Sequence, residues 1–375
     1  IGAHDRVICP AFTDAHLHFP QIDSVGCDGM HLLRWLDEVI FPAEIWWGRG
    51  QAMSMARTAV RRAAMQGTVG LAAYLTSHAE IGRDVIGWLT SRTPMRTAAG
   101  RVAMDRAAPE DLTGADRERA RMTPTPSPII PVPEGADASR HRSSLNPRFA
   151  VSCTPELLAE AGWFAGEQPE VLIQTHLSES LEEVQLVKEL FPDEPHYVGV
   201  YDRFGLLTDR TLLAHCVHLS SDEWEMIRAR RAVVVHCPAA NIFLQSGLFD
   251  LDAAREHGVR FALGSDVAAG SDIAMPRVAR GMIETAKVRK LTIAPKAAVP
   301  SPADAWDVIT RGNAEAVGWT DGGRLAVGCQ ADVLVLRVPE TWHDEHLVGR
   351  LIYNWSSSLI ETRVFAGRVF DPATI

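Results

Sequence analysis

The sequence predicts an α/β fold, a (β/α)8 TIM-like barrel with a small, incomplete β-sandwich appendage formed by the chain ends. Two observations carry this. Eight short apolar runs of strand character alternate with helix-like segments over most of the 375 residues, the pattern of a parallel sheet with helical crossovers. Beyond residue 322, "GRLAVGCQADVLVLRV" and "ETRVFAGRVF" read as strands and turns with no barrel-type helix between them, which suits a separate small sheet. The expected division is a residual appendage strand at 1–9, a barrel at 10–322 and a C-terminal appendage at 323–375.

The eight runs, in order, are 7–16 (VICPAFTDAH), 68–77 (TVGLAAYLTS), 97–105 (TAAGRVAMD), 147–153 (PRFAVSC), 170–178 (EVLIQTHLS), 211–219 (TLLAHCVHL), 232–238 (AVVVHCP) and 260–266 (RFALGSD). Each is short, apolar and bounded by polar or turn residues, as a buried parallel strand should be. Helix-like stretches fall between them. In 51–67 small and apolar residues dominate, and in 178–191 Leu181, Val184, Leu186 and Val187 recur near helical spacing behind a Glu-rich start, where acidic residues suit the helix dipole. Residues 109–146, with "TPTPSPIIPVPEGADASRHRSSLNP", are expected to be a loop, because proline removes the donors that a helix or central strand needs. No repeat appears at solenoid periods.

Composition narrows the partners. The chain is 46% hydrophobic and 22% charged with a formal net charge of -10, an ordinary globular balance. No long basic run attracts nucleic acid or an anionic membrane surface, so a small molecule is the expected partner. No apolar run reaches the ~18–20 residues of a spanning helix and no signal-like start is present, so the protein is expected to be cytoplasmic. Cys9, Cys27, Cys153, Cys216, Cys237 and Cys329 form no CxxC pair. A disulfide framework and a cysteine-ligated zinc are therefore not indicated. The first residue is Ile rather than Met, which suggests a missing leading piece.

Chemistry concentrates at the ends of the predicted strands. In "FTDAHLHFPQ", His16 and His18 are two apart, so on a strand both rings project from one face about 6.6–6.8 Å apart. That spacing suits a shared metal ion, although a lone pair of this kind is more often two ordinary histidines. The other strand ends carry His176 with Glu179, His215, His236 and Asp266. In a barrel such ends face one pocket. Imidazoles with a carboxylate suit Zn²⁺, which binds nitrogen at ~2.0–2.1 Å and keeps a position for water in catalytic sites. Each residue has a plainer reading: strand-end packing for the histidines and Asp266, a helix-dipole charge for Glu179, an ion pair for Arg148. His236 and Asn241 are left unassigned, and His31, His78 and His218 are read as structural or supporting.

"PAFTDAHLH", "QTHLSE", "LLAHC", "HCPAAN" and "ALGSD" occur in this order over residues 8–270. Together they resemble the signatures of the amidohydrolase superfamily. "LLRWLDEVIFPAE", "NPRFAVSC", "THLSESLEEVQLVKELFP" and "NIFLQSGLFDL" resemble its guanine deaminase branch over nearly the whole chain. The resemblance implies that His16, His18, His176 and Asp266 hold one Zn²⁺ per chain, or Fe²⁺, since imidazole suits both. It implies His215 beside the reacting water, Asp266 as its proton acceptor, and Glu179 as proton shuttle to the ring. Gln21, Arg148 and Phe149 would bind a purine, with Trp35 and Leu36 walling the pocket, and the protein would be a homodimer. The chain has only four lysines, none on or before the fourth strand, where a bridging modified lysine stands in related two-metal barrels, so one metal is expected.

The implied reaction is hydrolytic deamination of guanine to xanthine and ammonia. The H-x-E…PCxxC deaminase design is excluded by the lack of a CxxC. Alternatives are a deaminase of 8-oxoguanine, a pterin or an s-triazine, and a catalytically silent barrel. Three features depart from the branch: the leading residues that usually form part of a small β domain are missing, the third unit is eroded into the Pro-rich stretch, and "TPRF" and "PGF" appear as "NPRF" and "PAF" with Asn146 and Ala11.

Overall fold

The computed structural model describes residues 5–122 and 126–375. The first predicted run is divided. β1 (Arg6–Pro10) pairs away from the barrel, and after Ala11 the chain enters β2 (Phe12–His18), the first barrel strand. The barrel continues through β3 (Thr68–Tyr74), β4 (Arg96–Gly100), the two-residue β5 (Val102–Ala103), β6 (His141–Pro147), β7 (Leu172–Leu177), β8 (Thr211–His215), β9 (Val233–His236) and β10 (Arg260–Leu263). Its neighbours are parallel in the order β2-β3-β4-β6-β7-β8-β9-β10, with β5 on β6. Past the end of β10 the ring is drawn shut on β2 by Asp266 N to His16 O at 2.8 Å and His18 N to Val267 O at 3.3 Å. Below them Asn313 donates from Nδ2 to the carbonyls of Thr13 at 2.6 Å and Leu263 at 2.7 Å, stitching the two strands where the backbone ladder is absent.

The fourth strand is displaced from its predicted place. It is His141–Pro147, "HRSSLNP", and the apolar "RFAVSC" after it is strand-end loop and a short 3-10 turn at Ala150–Ser152. Polarity hid it, because this part of the barrel interior is itself polar. Gln174 Nε2 donates to Ser144 Oγ at 2.7 Å and to Ala98 O at 3.2 Å, and Asn146 Nδ2 to Gly100 O at 3.1 Å. Buried polar groups are tolerated where they find such partners.

The expected loop at 109–146 also contains a helix, Glu110–Arg119. Its inward face is Leu112, Thr113, Asp116 and Arg119, so charge rather than an apolar stripe fixes it. Asp116 pairs with Arg101 and with Arg119 at 3.0 Å, and Arg119 reaches Glu160 at 2.5 Å. The part of the Pro-rich stretch at 123–125 lies outside the described residues, as do residues 1–4 of the predicted N-terminal strand.

The other helices follow the sequence more directly. Ala52–Met65 buries Met55, Ala56, Ala59, Val60, Ala63 and Ala64 on one face, the three-to-four spacing of an amphipathic helix. Leu181–Leu190 starts at a capping box in which Ser180 accepts from Glu183 N and Glu183 accepts from Ser180 N. The chain ends form a four-stranded antiparallel sheet: β1, β11 (Val333–Arg337), β12 (Ile360–Phe365) and β13 (Arg368–Val369), in that order. Ala366 and Gly367, both at positive φ (51° and 74°), make the tight turn into β13. A helix not expected from the sequence, Leu347–Tyr353, lies between β11 and β12 and packs on the long helix Met275–Thr292. No helix among the described residues is long and apolar enough to cross a membrane.

Candidate active site

The C-terminal mouth of the barrel holds a pocket lined by His18, Gln21, Leu32, Trp35, Leu36, Arg148, Phe149, His176, Glu179, His215, Leu244 and Asp266. Every site residue expected from the sequence lines it except His16, which lies against His18 and Asp266. Sharp turns at the strand ends aim these groups inward. Ser178, His215, Cys216 and Asp266 all have φ between 47° and 71°, a left-handed conformation that costs a non-glycine residue about 1–3 kcal/mol.

The distances test whether a cation fits. His18 Nε2 lies 3.3 Å from His16 Nε2 and 3.2 Å from His176 Nε2. One N–H cannot serve both neighbours, and His18 Nδ1 is buried with no partner among the described residues. Asp266 Oδ1 is 3.3 Å from His16 Nε2 and 3.5 Å from His18 Nε2. Ligands held ~2.0–2.1 Å from one tetrahedral centre are separated by about 3.3–3.4 Å, which these four separations match, and His215 has a ligand atom within 4.8 Å of those of His16 and His176.

Tautomers agree with that fit. His176 Nδ1 donates to Arg148 O at 2.6 Å, leaving the Nε2 lone pair free, as supporting partners of ligating histidines do. Burial, and then neighbouring imidazoles, push His16, His18 and His176 well below the ordinary histidine pKa, so all three are neutral and able to ligate. The Cys237 thiol also approaches His16 and Asp266. Burial first, then Asp266, raises its pKa well above the usual thiol range, so it stays protonated and is a poor ligand.

His215 and Glu179 form the other half of the site. Asn241 Oδ1 accepts from His215 Nδ1 at 2.9 Å, turning Nε2 toward Glu179 Oε2 at 3.4 Å and Asp266 Oδ2 at 3.8 Å. Burial, and then the charges of Asp266 and Glu183, hold the Glu179 carboxyl well above its usual pKa. These surroundings favour its protonated form. Ser246 Oγ donates to Glu179 Oε1 at 3.4 Å, and His218 holds Ser246 through its carbonyl at 2.7 Å.

The remaining histidines lie around this centre. His236 stacks on Phe249 with centroids 4.5 Å apart, and burial pushes its pKa down to about 3. His78 shares a hydrogen bond with Thr76 at 2.8 Å, and His31 is exposed.

Sequence reasoning missed three supporting groups. Glu44 is fully buried and accepts from Arg148 Nη1 at 2.8 and 2.7 Å. Glu183, beyond its capping role, accepts from Glu179 N at 2.7 Å and from Tyr197 OH at 2.7 Å. Asn241, left unassigned, fixes the His215 tautomer. The Ser-x-x-Glu spacing of 180–183 was the one available signal for Glu183, and a lone acid in the apolar "IFPAEIW" was the signal for Glu44.

A parallel barrel whose mouth gathers imidazoles and a carboxylate around a cation-sized point defines a class of barrel hydrolases. The chain belongs to the Amidohydrolase family, whose model matches residues 7–365. Guanine deaminase of Escherichia coli (strain K12) is 30% identical over 358 residues, 95% of this chain and 77% of that protein. Guanine deaminase of Dictyostelium discoideum is 32% identical over 301 residues, 76% of this chain and 62% of that protein. The crystal structure of guanine deaminase from C. acetobutylicum, with guanine bound in its active site, matches with a TM-score of 0.88 and 25% identity, covering 98% of this chain and 87% of that one.

Proposed function

We propose that this chain hydrolyses guanine to xanthine and ammonia. The observation that carries the reading is that one cavity at the barrel mouth gathers His18, His176 and Asp266, spaced as for a cation, with the buried Glu179 and with Gln21, Arg148 and Phe149, the residues proposed to bind the purine. The guanine deaminase relatives support the same substrate.

His16, His18, His176 and Asp266 would hold one Zn²⁺. Bound there, such an ion lowers the pKa of water to about 7 and so supplies a nucleophile at neutral pH. Asp266 Oδ2 accepts the proton that the attacking water gives up, and His215 Nε2 orients that water. Glu179 donates its proton to the ring nitrogen beside C2 as the new C–O bond forms, so that negative charge does not accumulate on the ring. Glu179 then takes the proton of the new C2 hydroxyl as the carbonyl forms, and the proton held by Asp266 passes to the amino group, so that the C2–N bond breaks with ammonia as leaving group and both carboxyls return to their starting states. Arg148 binds the carbonyl oxygen, and Phe149, Trp35 and Leu36 cover the ring and exclude water.

An ammonia-release screen over guanine, 8-oxoguanine, a pterin and an s-triazine tests this, with metal analysis of the same preparation. We expect turnover of guanine and about one zinc per chain. Turnover of the triazine with none of guanine moves the assignment to that substrate, and a folded, metal-free, inactive protein makes the chain a silent scaffold. The same resemblance points to a cytoplasmic homodimer, which sedimentation analysis tests for its subunit number.

A further inference from the structure

We infer that Glu44 is a positioning residue that fixes the polarity of the substrate pocket, making it complementary to a neutral lactam edge with C=O beside N–H. This rests on the proposed deaminase reading and adds the group that sets its specificity. Glu44 belongs to the helix Phe41–Trp46, outside the barrel, yet has no exposed surface. Both its oxygens accept from one nitrogen, Arg148 Nη1, at 2.8 and 2.7 Å, and Oε1 also accepts from Gln21 Nε2 at 3.3 Å. The same helix supplies Phe41, whose ring lies 5.4 Å from the Arg148 guanidinium carbon.

A carboxylate only accepts hydrogen bonds. Glu44 therefore compels Gln21 to spend its NH₂ group away from the ligand, which leaves Oε1 as the acceptor that Gln21 can offer. Gln21 Oε1, Arg148 Nε and Arg148 Nη2 make no hydrogen bond to any described residue, while both side chains line the cavity. The pocket thus presents donors from Arg148 and an acceptor from Gln21. Guanine's C6 carbonyl and N1–H match that order, and an amino-substituted edge with an unprotonated ring nitrogen reverses it. Glu44 also neutralises Arg148, so an anionic ligand gains no net attraction from the pair.

The test uses the metal-loaded protein and two ligands that lack the leaving amino group: hypoxanthine, which keeps the lactam edge, and purine, which does not. Calorimetric affinities are measured for the wild type and Glu44→Gln, beside kcat and KM for guanine. Wild type should prefer hypoxanthine by ~10²-fold, since a site built to hydrogen-bond rejects the analogue lacking the partner. Glu44→Gln should bring the two affinities within about threefold, and should lower kcat/KM for guanine mainly through KM, at unchanged metal content. Glu44→Asp, which keeps the charge but retracts it, should fall between, and carries the test if Glu44→Gln does not fold. A variant that keeps the wild-type preference, or a wild type without one, overturns the inference. A wild type that prefers hypoxanthine but does not deaminate guanine supports the inference and removes the proposed reaction.

Discussion

In the proposed reaction Glu179 gives up a proton and recovers it, and burial beside Asp266 and Glu183 favours the protonated form from which it would start. Replacing it by Gln keeps the shape and removes the exchangeable proton. Glu179→Gln should retain the metal, read by elemental analysis, and lose ~10²–10⁴-fold or more in kcat, since general acid/base contributions are of that size. A second residue-scale expectation concerns acid. Burial, and then Arg140, lower His141 to about 4 from 6.5. Between these values the unfolded chain binds a proton that the folded chain refuses, so this contribution to stability is present above pH 6.5 and lost as pH falls toward 4. The difference in urea midpoint between wild type and His141→Gln should shrink over that window and level off on either side.

At the scale of strands and helices, close approach at the barrel seam depends on Gly264. A Cβ there would lie 2.6 Å from His16 Cβ and 3.0 Å from His16 O. Gly264→Ala should push β10 and β2 apart at His16, a proposed ligand, and weaken metal affinity by ~10–100-fold, the cost of disturbing a ligand's support. Chelator competition measures it. The strand ends that carry His16, His18, His176, His215 and Asp266 were legible because apolar runs mark barrel strands and polar residues at their ends stand out. β6 was not, since its inward residues Ser144 and Asn146 are polar and satisfied by Gln174 and Gly100. The helix Glu110–Arg119 was hidden for a related reason, being held by Asp116 and its arginines rather than by an apolar stripe. Glu44 and Asn241 act through partners over a hundred residues away or on a neighbouring strand end, and a single sequence shows neither pairing.

For the whole molecule, one aspartate ties the terminal sheet to the barrel. Asp332, at the start of β11, accepts from Arg96 Nε at 2.7 Å, Arg140 Nη2 at 3.1 Å and Ala366 N at 2.8 Å, with all three charged groups nearly excluded from solvent. Asp332→Ala leaves the buried Arg140 without a carboxylate and Arg96 with Asp321 alone, at 2.8 Å, and should cost about 3–5 kcal/mol, the penalty for breaking a buried pair from one side. Denaturant unfolding reads it, and activity per folded molecule should persist because this contact lies away from the mouth. The mouth has its own shared member. The carbonyl of Arg148 receives the His176 Nδ1 proton while the same residue's guanidinium faces the cavity. If the proposed cation and heterocycle both bind, whatever one does to the affinity of the other is returned by the same factor, and through this shared residue we expect the coupling to be positive. Apo protein titrated with zinc should bind it more tightly in saturating hypoxanthine than in buffer alone.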